Sequence, residues 1–244
     1  MSQQIVTSNL LEKMKDINTY FDKIYIINLS KRVDRWDKML IKTNKYNIKN
    51  YIQFPAINGY DEPYYSKWRQ IKGFFETPGA FGVIMSVYNV LLDAIHNKYK
   101  SILILEDDVL FHKNFNYLFK LHTQYIPEYW KLLFLGSSMH SWRINERCIL
   151  KNGYLIPKGS IPGAFALGIK SDIYNQLISL ILQCRSAWDL EPIKIINKMY
   201  YKQCFVIFPN IIISDTRDSN IRNGKNLNKK ARDCLWDLKN YDID

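Results

Sequence analysis

The run Ser101-Ile102-Leu103-Ile104-Leu105, followed at once by Glu106, Asp107 and Asp108, narrows what this chain can fold into more than any other stretch. A short continuous apolar run reads as a strand buried on both faces, the habit of central strands in a parallel sheet covered by helices. In open α/β sheets ligands collect outside the carboxyl ends of such strands, so the acids stand where a substrate would arrive. Strand alternation predicts that Glu106 and Asp108 point to the same side. At about 5 Å and an effective dielectric of about 20, two such carboxylates repel by roughly 3 kcal/mol. A bound divalent cation reverses that sign. Taken alone, the three acids also fit a helix cap or a solvated turn.

The flanking pattern is α/β throughout. Strands are expected at about 24–29, 51–57, 101–105, 131–135, 163–169 and 204–208, alternating with helices at about 32–46, 78–98, 114–125 and 171–184 and one starting near Asp189. Such alternation argues for a parallel-rich sheet flanked by helices. The 32–46 helix is expected to present Val33, Trp36, Met39 and Leu40 to the core, and the 78–98 helix Ile84, Val87, Tyr88, Leu91 and Ile95. Residues 1–21 form an amphipathic leader, with Leu10, Leu11, Met14, Ile17 and Phe21 at helical spacing. Residues 22–225 form one domain, and 226–244 a polar, basic tail or helix. Tyr60, Tyr64, Tyr65, Trp68, Phe74 and Phe75 fill a small subcore or offer flat faces to a sugar or base.

With 244 residues and 47% hydrophobic content, the chain can bury one substantial core. It contains no run of 18 apolar residues and no signal-peptide pattern at its start, so neither a membrane span nor export is indicated, and a cytoplasmic location is expected with peripheral membrane contact left open. The net charge of +11 fits an anionic partner, but the basic residues are scattered and the excess of Lys, Asn, Ile and Tyr is what an AT-rich genome encodes; no nucleic-acid partner is expected. Cys148, Cys184, Cys204 and Cys234 lack zinc-site spacing and read as reduced thiols. His140 reads as an exposed loop residue rather than a metal ligand.

Several pieces occur in a definite order. They are Ile24-Tyr25-Ile26-Ile27-Asn28-Leu29-Ser30-Lys31-Arg32, then Pro78-Gly79-Ala80-Phe81-Gly82 with Ser86, then Glu106-Asp107-Asp108, Gly163-Ala164-Phe165, Trp188-Asp189, and Ser219-Asn220-Ile221-Arg222. Over roughly residues 20–225 this series resembles family 25 glycosyltransferases, the lipopolysaccharide and procollagen galactosyltransferase-like enzymes. Two positions depart from the family pattern, with Ala80 where an acid is usual and Val87 where a His is usual.

The resemblance implies a GT-A-like fold and inverting transfer of a sugar, galactose or glucose, from a UDP-sugar to a hydroxyl of a glycan or glycoprotein acceptor. It implies Mn²⁺ or Mg²⁺ held by Asp108 with Glu106, oxygen ligands suited to those ions. Asn28, Leu29 and Arg32 fall on the nucleotide, with Arg35 either a ligand or structural. Gly79 and Gly82 stand at a helix start whose backbone N–H groups either receive phosphate or serve close packing, Gly79 and Ser86 are assigned to the donor, Asp107 orients the acidic loop, and Arg222 closes on the diphosphate. Asp189 is the general base, with Glu191 and Asp215 as rivals. A glycan- or nucleotide-binding protein that has lost transfer is the alternative.

Overall fold

Alternate residues of the first strand face two different cores, and the molecule is organised around that division. The computed structural model describes residues 15–71, 73, 75–183, 186–218 and 226–243. Strand β1 (Lys23–Asn28) sends Ile24 and Ile26 into one apolar cluster and Tyr25 and Ile27 into the other. Strand β3 (Ser101–Glu106) repeats this, with Leu103 and Leu105 on one face and Ile102 and Ile104 on the other. Its run is continuous because both faces are covered.

The remaining strands are β2 (Tyr51–Pro55), β4 (Val109–Phe111), β5 (Leu132–Phe134), β6 (Cys148–Lys151), β7 (Tyr154–Pro157), β8 (Ala166–Lys170), β9 (Cys204–Ile207) and β10 (Ile212–Ser214). Strand β4 pairs with β10, and the other eight of the ten strands in the described residues form one sheet in the order β2-β1-β3-β8-β5-β9-β7-β6. Its strands share one direction except β8 and β7, which run against their neighbours. The result is a single α/β domain with a mixed sheet in which one strand direction predominates. From β1 the chain crosses to β2 on one side, while β3 lies on the other, so a crevice opens beyond the ends of β1 and β3.

Helices α1 (Ile17–Tyr20), α2 (Val33–Lys45), α3 (Tyr64–Ile71), α4 (Pro78–His96), α5 (Phe115–Thr123), α6 (Ser141–Arg147), α7 (Tyr174–Leu182), α8 (Glu191–Met199) and α9 (Leu227–Cys234) complete the layers. On the β1 Ile24 face lie α2, α5 and α9; on the Tyr25 face lie α4, α7 and α8. Helix α4 starts sharply because Thr77 caps it, accepting from the Ala80 N–H at 3.1 Å, with Pro78 in the first turn. By length and hydropathy alone α4 could cross a membrane, yet half of that stretch is buried within the fold.

Three expectations change. Val33 is 60% exposed; Met39 is buried and Trp36 packs on the core as expected, but the inward face of α2 also carries Arg35, Lys42 and Thr43, because that face meets the acidic end of β3 as well as the core. Ile95, near the end of α4, is also exposed. The hairpin β6–β7 and the two-stranded β4–β10 ladder were absent from the expected strands; their members are three or four residues long, too short for a clear period. The C-terminal stretch, expected as a tail or helix, holds helix α9, and Leu227, Ala231, Cys234, Trp236 and Tyr241 are buried in the main core. Of the leader, only residues from Lys15 onward are described; Ile17 and Phe21 are buried, and Leu10, Leu11 and Met14 lie outside the described residues. Cys148, Cys204 and Cys234 are free thiols.

Candidate active site

The chain leaves β3 at Glu106, turns through Asp107 and Asp108, and re-enters a strand at Val109. Glu106 and Asp108 both reach the cleft, as strand alternation leads one to expect, although the two residues after Glu106 form a turn. Asp107 points back into the protein, where its two oxygens accept from Arg35 Nη1 and Asn28 Nδ2, each at 2.7 Å. Both partners are buried, and Gln53 donates to the Asn28 oxygen at 2.9 Å. Arg35 Nη1 also stands 3.7 Å from Asp108 Oδ2. Lys42 braces the start of β4, donating to the Val109 carbonyl at 2.9 Å.

Beyond this turn lies a cleft of about 490 Å³, and Glu106, Asp107 and Asp108 all line it. Asp189 and Asp215 bring further carboxylates. The β4–β10 ladder carries Asp215 to this place, and its backbone N–H donates to the Asp108 carbonyl at 2.8 Å. Asp189 precedes α8 and accepts from the Gly163 N–H at 3.1 Å. Gly163 has φ +82, and an added Cβ would lie 2.7 Å from Ser138 Oγ, so glycine is needed for this loop to present its N–H.

Crowding of acids sets the electrostatics. Burial, followed by the charges of Asp108, Asp189 and Asp107, drives the Glu106 carboxyl well above its usual range, with Arg35 opposing. Burial pushes Asp108 up to about 7, against the pull of Arg35 and Lys42 and with the help of Asp107 and Asp215. Asp215 goes the other way. Its carboxylate is desolvated, but Arg217 holds it below the ordinary value through hydrogen bonds at 2.9 and 2.6 Å. One further observation bears on a cation: Asp108 Oδ1 is buried and has no hydrogen-bond partner among the described residues. A desolvated, orphaned carboxylate oxygen beside another raised acid suits a hard divalent ion. Among the described residues no three carboxylate, imidazole or thiolate groups converge as a complete metal cage. A site of one or two carboxylates, with the other positions left to water and phosphate oxygens, is the habit of Mg²⁺-type sites.

The other sequence-predicted residues divide. Leu29, Gly79 and Ser86 line the cleft. The Ser86 hydroxyl is engaged internally, accepting from the Ile57 N–H at 2.8 Å and donating to the Gly82 carbonyl at 2.7 Å. Gly82 packs against the loop after β2, where an added Cβ would sit 2.4 Å from the Ile57 oxygen. Asn28 stands behind the cleft, holding Asp107. Arg32 is likewise absent from the lining and makes a bidentate pair with Asp34 at 2.8 and 2.7 Å. Arg222 lies outside the described residues. Glu191 begins α8 and is not on the cleft wall, and neither is His140, the residue before α6. Ala80 and Val87, the two departures, both line the cleft.

Two contributors escaped the sequence reading: Lys31 and Lys230 line the cleft. Phe75, one of the aromatics expected in a subcore or against a ligand, lines it too and is buried against Phe81. Lys31 sits between two residues assigned to the nucleotide, which was a usable signal. Lys230 lies in a segment read as a polar tail or helix, and only the packing of α9 brings it to the cleft.

A family model described as Glycosyltransferase family 25 (LPS biosynthesis protein) matches residues 21–161. Procollagen galactosyltransferase 2 of Homo sapiens is 31% identical over 149 residues, covering 53% of this chain and 23% of that protein. A glycosyltransferase 25 family member of Drosophila melanogaster is 27% identical over 125 residues, 44% of this chain and 19% of that protein. Procollagen galactosyltransferase 1 of Danio rerio is 24% identical over 199 residues, 71% of this chain and 29% of that protein. The matches thus span less than a third of these relatives' length. A crystal structure of a glycosyltransferase involved in the glycosylation of the major capsid of PBCV-1 aligns with 78% of this chain and 76% of that chain, at 12% identity and a TM-score of 0.39.

Proposed function

The chain belongs to glycosyltransferase family 25, and from that membership we propose that it moves galactose or glucose from a UDP-sugar to a hydroxyl of a glycan or protein acceptor, with divalent metal and with inversion. The observation that carries the metal-dependent reading is the buried, unpartnered Asp108 Oδ1 inside a cluster of acids at the end of β3.

In this reading Asp108 and Glu106 hold Mn²⁺ or Mg²⁺. The ion, when bound, neutralises charge building on the departing diphosphate. Asp107 is too tightly engaged by Arg35 and Asn28 to serve as a ligand. Its work is to fix the turn from which Asp108 projects.

Inverting transfer is a single displacement: the acceptor oxygen bonds to the anomeric carbon as the bond to the diphosphate oxygen breaks, and the hydroxyl proton passes to a base. Asp189 is our choice for that base. Of its rivals, Asp215 is held ionised by Arg217, which weakens it as a proton acceptor, and Glu191 is off the cleft wall. Asp189→Asn should lower turnover by roughly 10²- to 10⁴-fold with little change in donor affinity. A variant with the full transfer rate would move the role elsewhere.

A panel of nucleotide sugars, tested with Mn²⁺ for thermal stabilisation and then for sugar release, is the direct experiment. Stabilisation by a UDP-sugar together with Mn²⁺-dependent release is the expected result. Ala80 and Val87 on the cleft wall favour the second reading, a glycan- or nucleotide-binding protein without transfer. Saturable UDP-sugar binding with no release or transfer to any acceptor would select it.

A further inference from the structure

We infer that Lys230, on the C-terminal helix α9, binds the diphosphate of the donor, so that a segment beyond the residues matched by the family model completes the donor site. This rests on reading the cleft as a nucleotide-sugar site.

The argument begins with charge. Among the described residues six carboxylates line the cleft, counting Glu76, against three cations, Lys31, Arg35 and Lys230. Arg35 is bound to Asp107 at 2.7 Å and leans on Asp108. A single divalent ion does not by itself balance so many acids once a diphosphate is also present. Further positive charge near the phosphates lowers the cost of their arrival and of their departure as a better leaving group. Lys31 reaches the cleft from the exposed loop after β1, and Lys230 from α9.

Position is the second part. Helix α9 packs against the Thr216–Asp218 turn that directly follows Asp215, and Lys230 shares the cleft wall with Asp215 and Thr216. Asp108 and Asp215 are joined through their backbones at 2.8 Å, so the segment beside Lys230 is tied directly to the acidic turn, and all three residues line the same cleft.

Rigidity is the third. Asn226 caps α9, accepting from the Lys229 N–H at 3.0 Å, and Leu227, Ala231 and Cys234 are buried beneath it. After the helix, the Trp236 indole N–H donates to the Ser137 carbonyl at 3.2 Å, and its ring meets Phe165 edge to face. Phe165 itself lines the cleft. An ammonium on so well-fastened a helix is preorganised, which is what makes a fixed charge effective. Lys230 also stands within hydrogen-bonding reach of Cys234, where its charge opposes the upward push of burial on the thiol.

The test is calorimetric titration of the full chain with UDP and with uridine, each in saturating Mn²⁺. Lys230→Met keeps the apolar stem and removes the charge. It should bind UDP about 10-fold more weakly, with a shallower salt dependence and unchanged uridine affinity. Lys230→Arg should stay within about 3-fold of the wild type, and Lys229→Met, one residue away and exposed, should match it. Wild-type UDP affinity in Lys230→Met overturns the inference while leaving the nucleotide-sugar reading intact. Equal losses for UDP and uridine also overturn it, since the lesion would then concern the whole cleft. Absence of UDP binding by the wild-type chain removes both.

Discussion

Arg35 and Asp107, seventy-two positions apart in sequence, form a buried ion pair at 2.7 Å that ties α2 to the end of β3. The pair is closed on both sides, because Asn28 occupies the second Asp107 oxygen. Removing one member of such a pair strands the other charge in a poorly solvated place. Arg35→Ala should therefore cost about 3–5 kcal/mol of folding stability, read from urea denaturation. A loss below about 1 kcal/mol would show that Asp107 is solvated and that the turn is held by something else.

Asp108 should behave in the opposite way. It sits in a field of acids that resist its ionisation, and one of its oxygens has no hydrogen-bond partner among the described residues. Asp108→Asn keeps the shape and removes the charge. In the chelated protein at pH 8 it should be neutral or gain about 1 kcal/mol or more, since one unit of pKa is worth about 1.4 kcal/mol. The same variant should lose metal-dependent transfer. Stability gained and activity lost together would mark a residue kept for function at the fold's expense. A destabilised Asp108→Asn protein would contradict the electrostatic account.

The pH dependence of the metal-free protein follows from the same group. Folded Asp108 takes up its proton near pH 7, whereas in the unfolded chain it does so near 3.8. Between those values the folded state carries the extra proton, so stability is present at the lower pH and is lost as pH rises through about 7. Glu106, raised by burial and its neighbours, has the same sign. His112 and His122, lowered by burial, oppose it, but only below their ordinary value of 6.5. Urea midpoints measured with chelator from pH 6.5 to 8.5 should fall, and the fall should lessen in Asp108→Asn. A flat profile in the wild type would rule out a raised Asp108.

What the sequence disclosed and what it withheld divide along physical lines. The two-sided burial of β1 and β3 was written in continuous apolar runs, and the acids at the end of β3 were found by position alone. The loop-orienting role of Asp107 was anticipated, but its partners were not: Asn28 and Arg35 come from β1 and α2, and only the fold brings them there. Asn28 and Arg32 stand next to the cleft in sequence, yet Asn28 points inward to Asp107 and Arg32 turns to Asp34. Asp215 and Lys230 arrive through a three-residue ladder and a basic helix whose buried face is only Leu227, Ala231 and Cys234. Elements that short leave no period to read, and their contribution depends on long-range pairing.

Ser86 separates packing from ligand binding most cleanly. Its hydroxyl, fully buried, accepts from the Ile57 N–H and donates to the Gly82 carbonyl, pinning the loop after β2 to α4. Ser86→Ala leaves the Ile57 N–H without its partner and should cost about 1–3 kcal/mol. That is a fall in Tm of several degrees for a chain of this size, at about 2–4 °C per kcal/mol. Gly82→Ala should cost more, because the new methyl would meet the Ile57 oxygen at 2.4 Å and backbone would have to move. Both variants should weaken UDP binding only as far as they shift the Ile57 and Gly79 walls of the cleft. If Ser86→Ala keeps its Tm yet loses UDP affinity, the hydroxyl is a nucleotide ligand and the clamp is incidental.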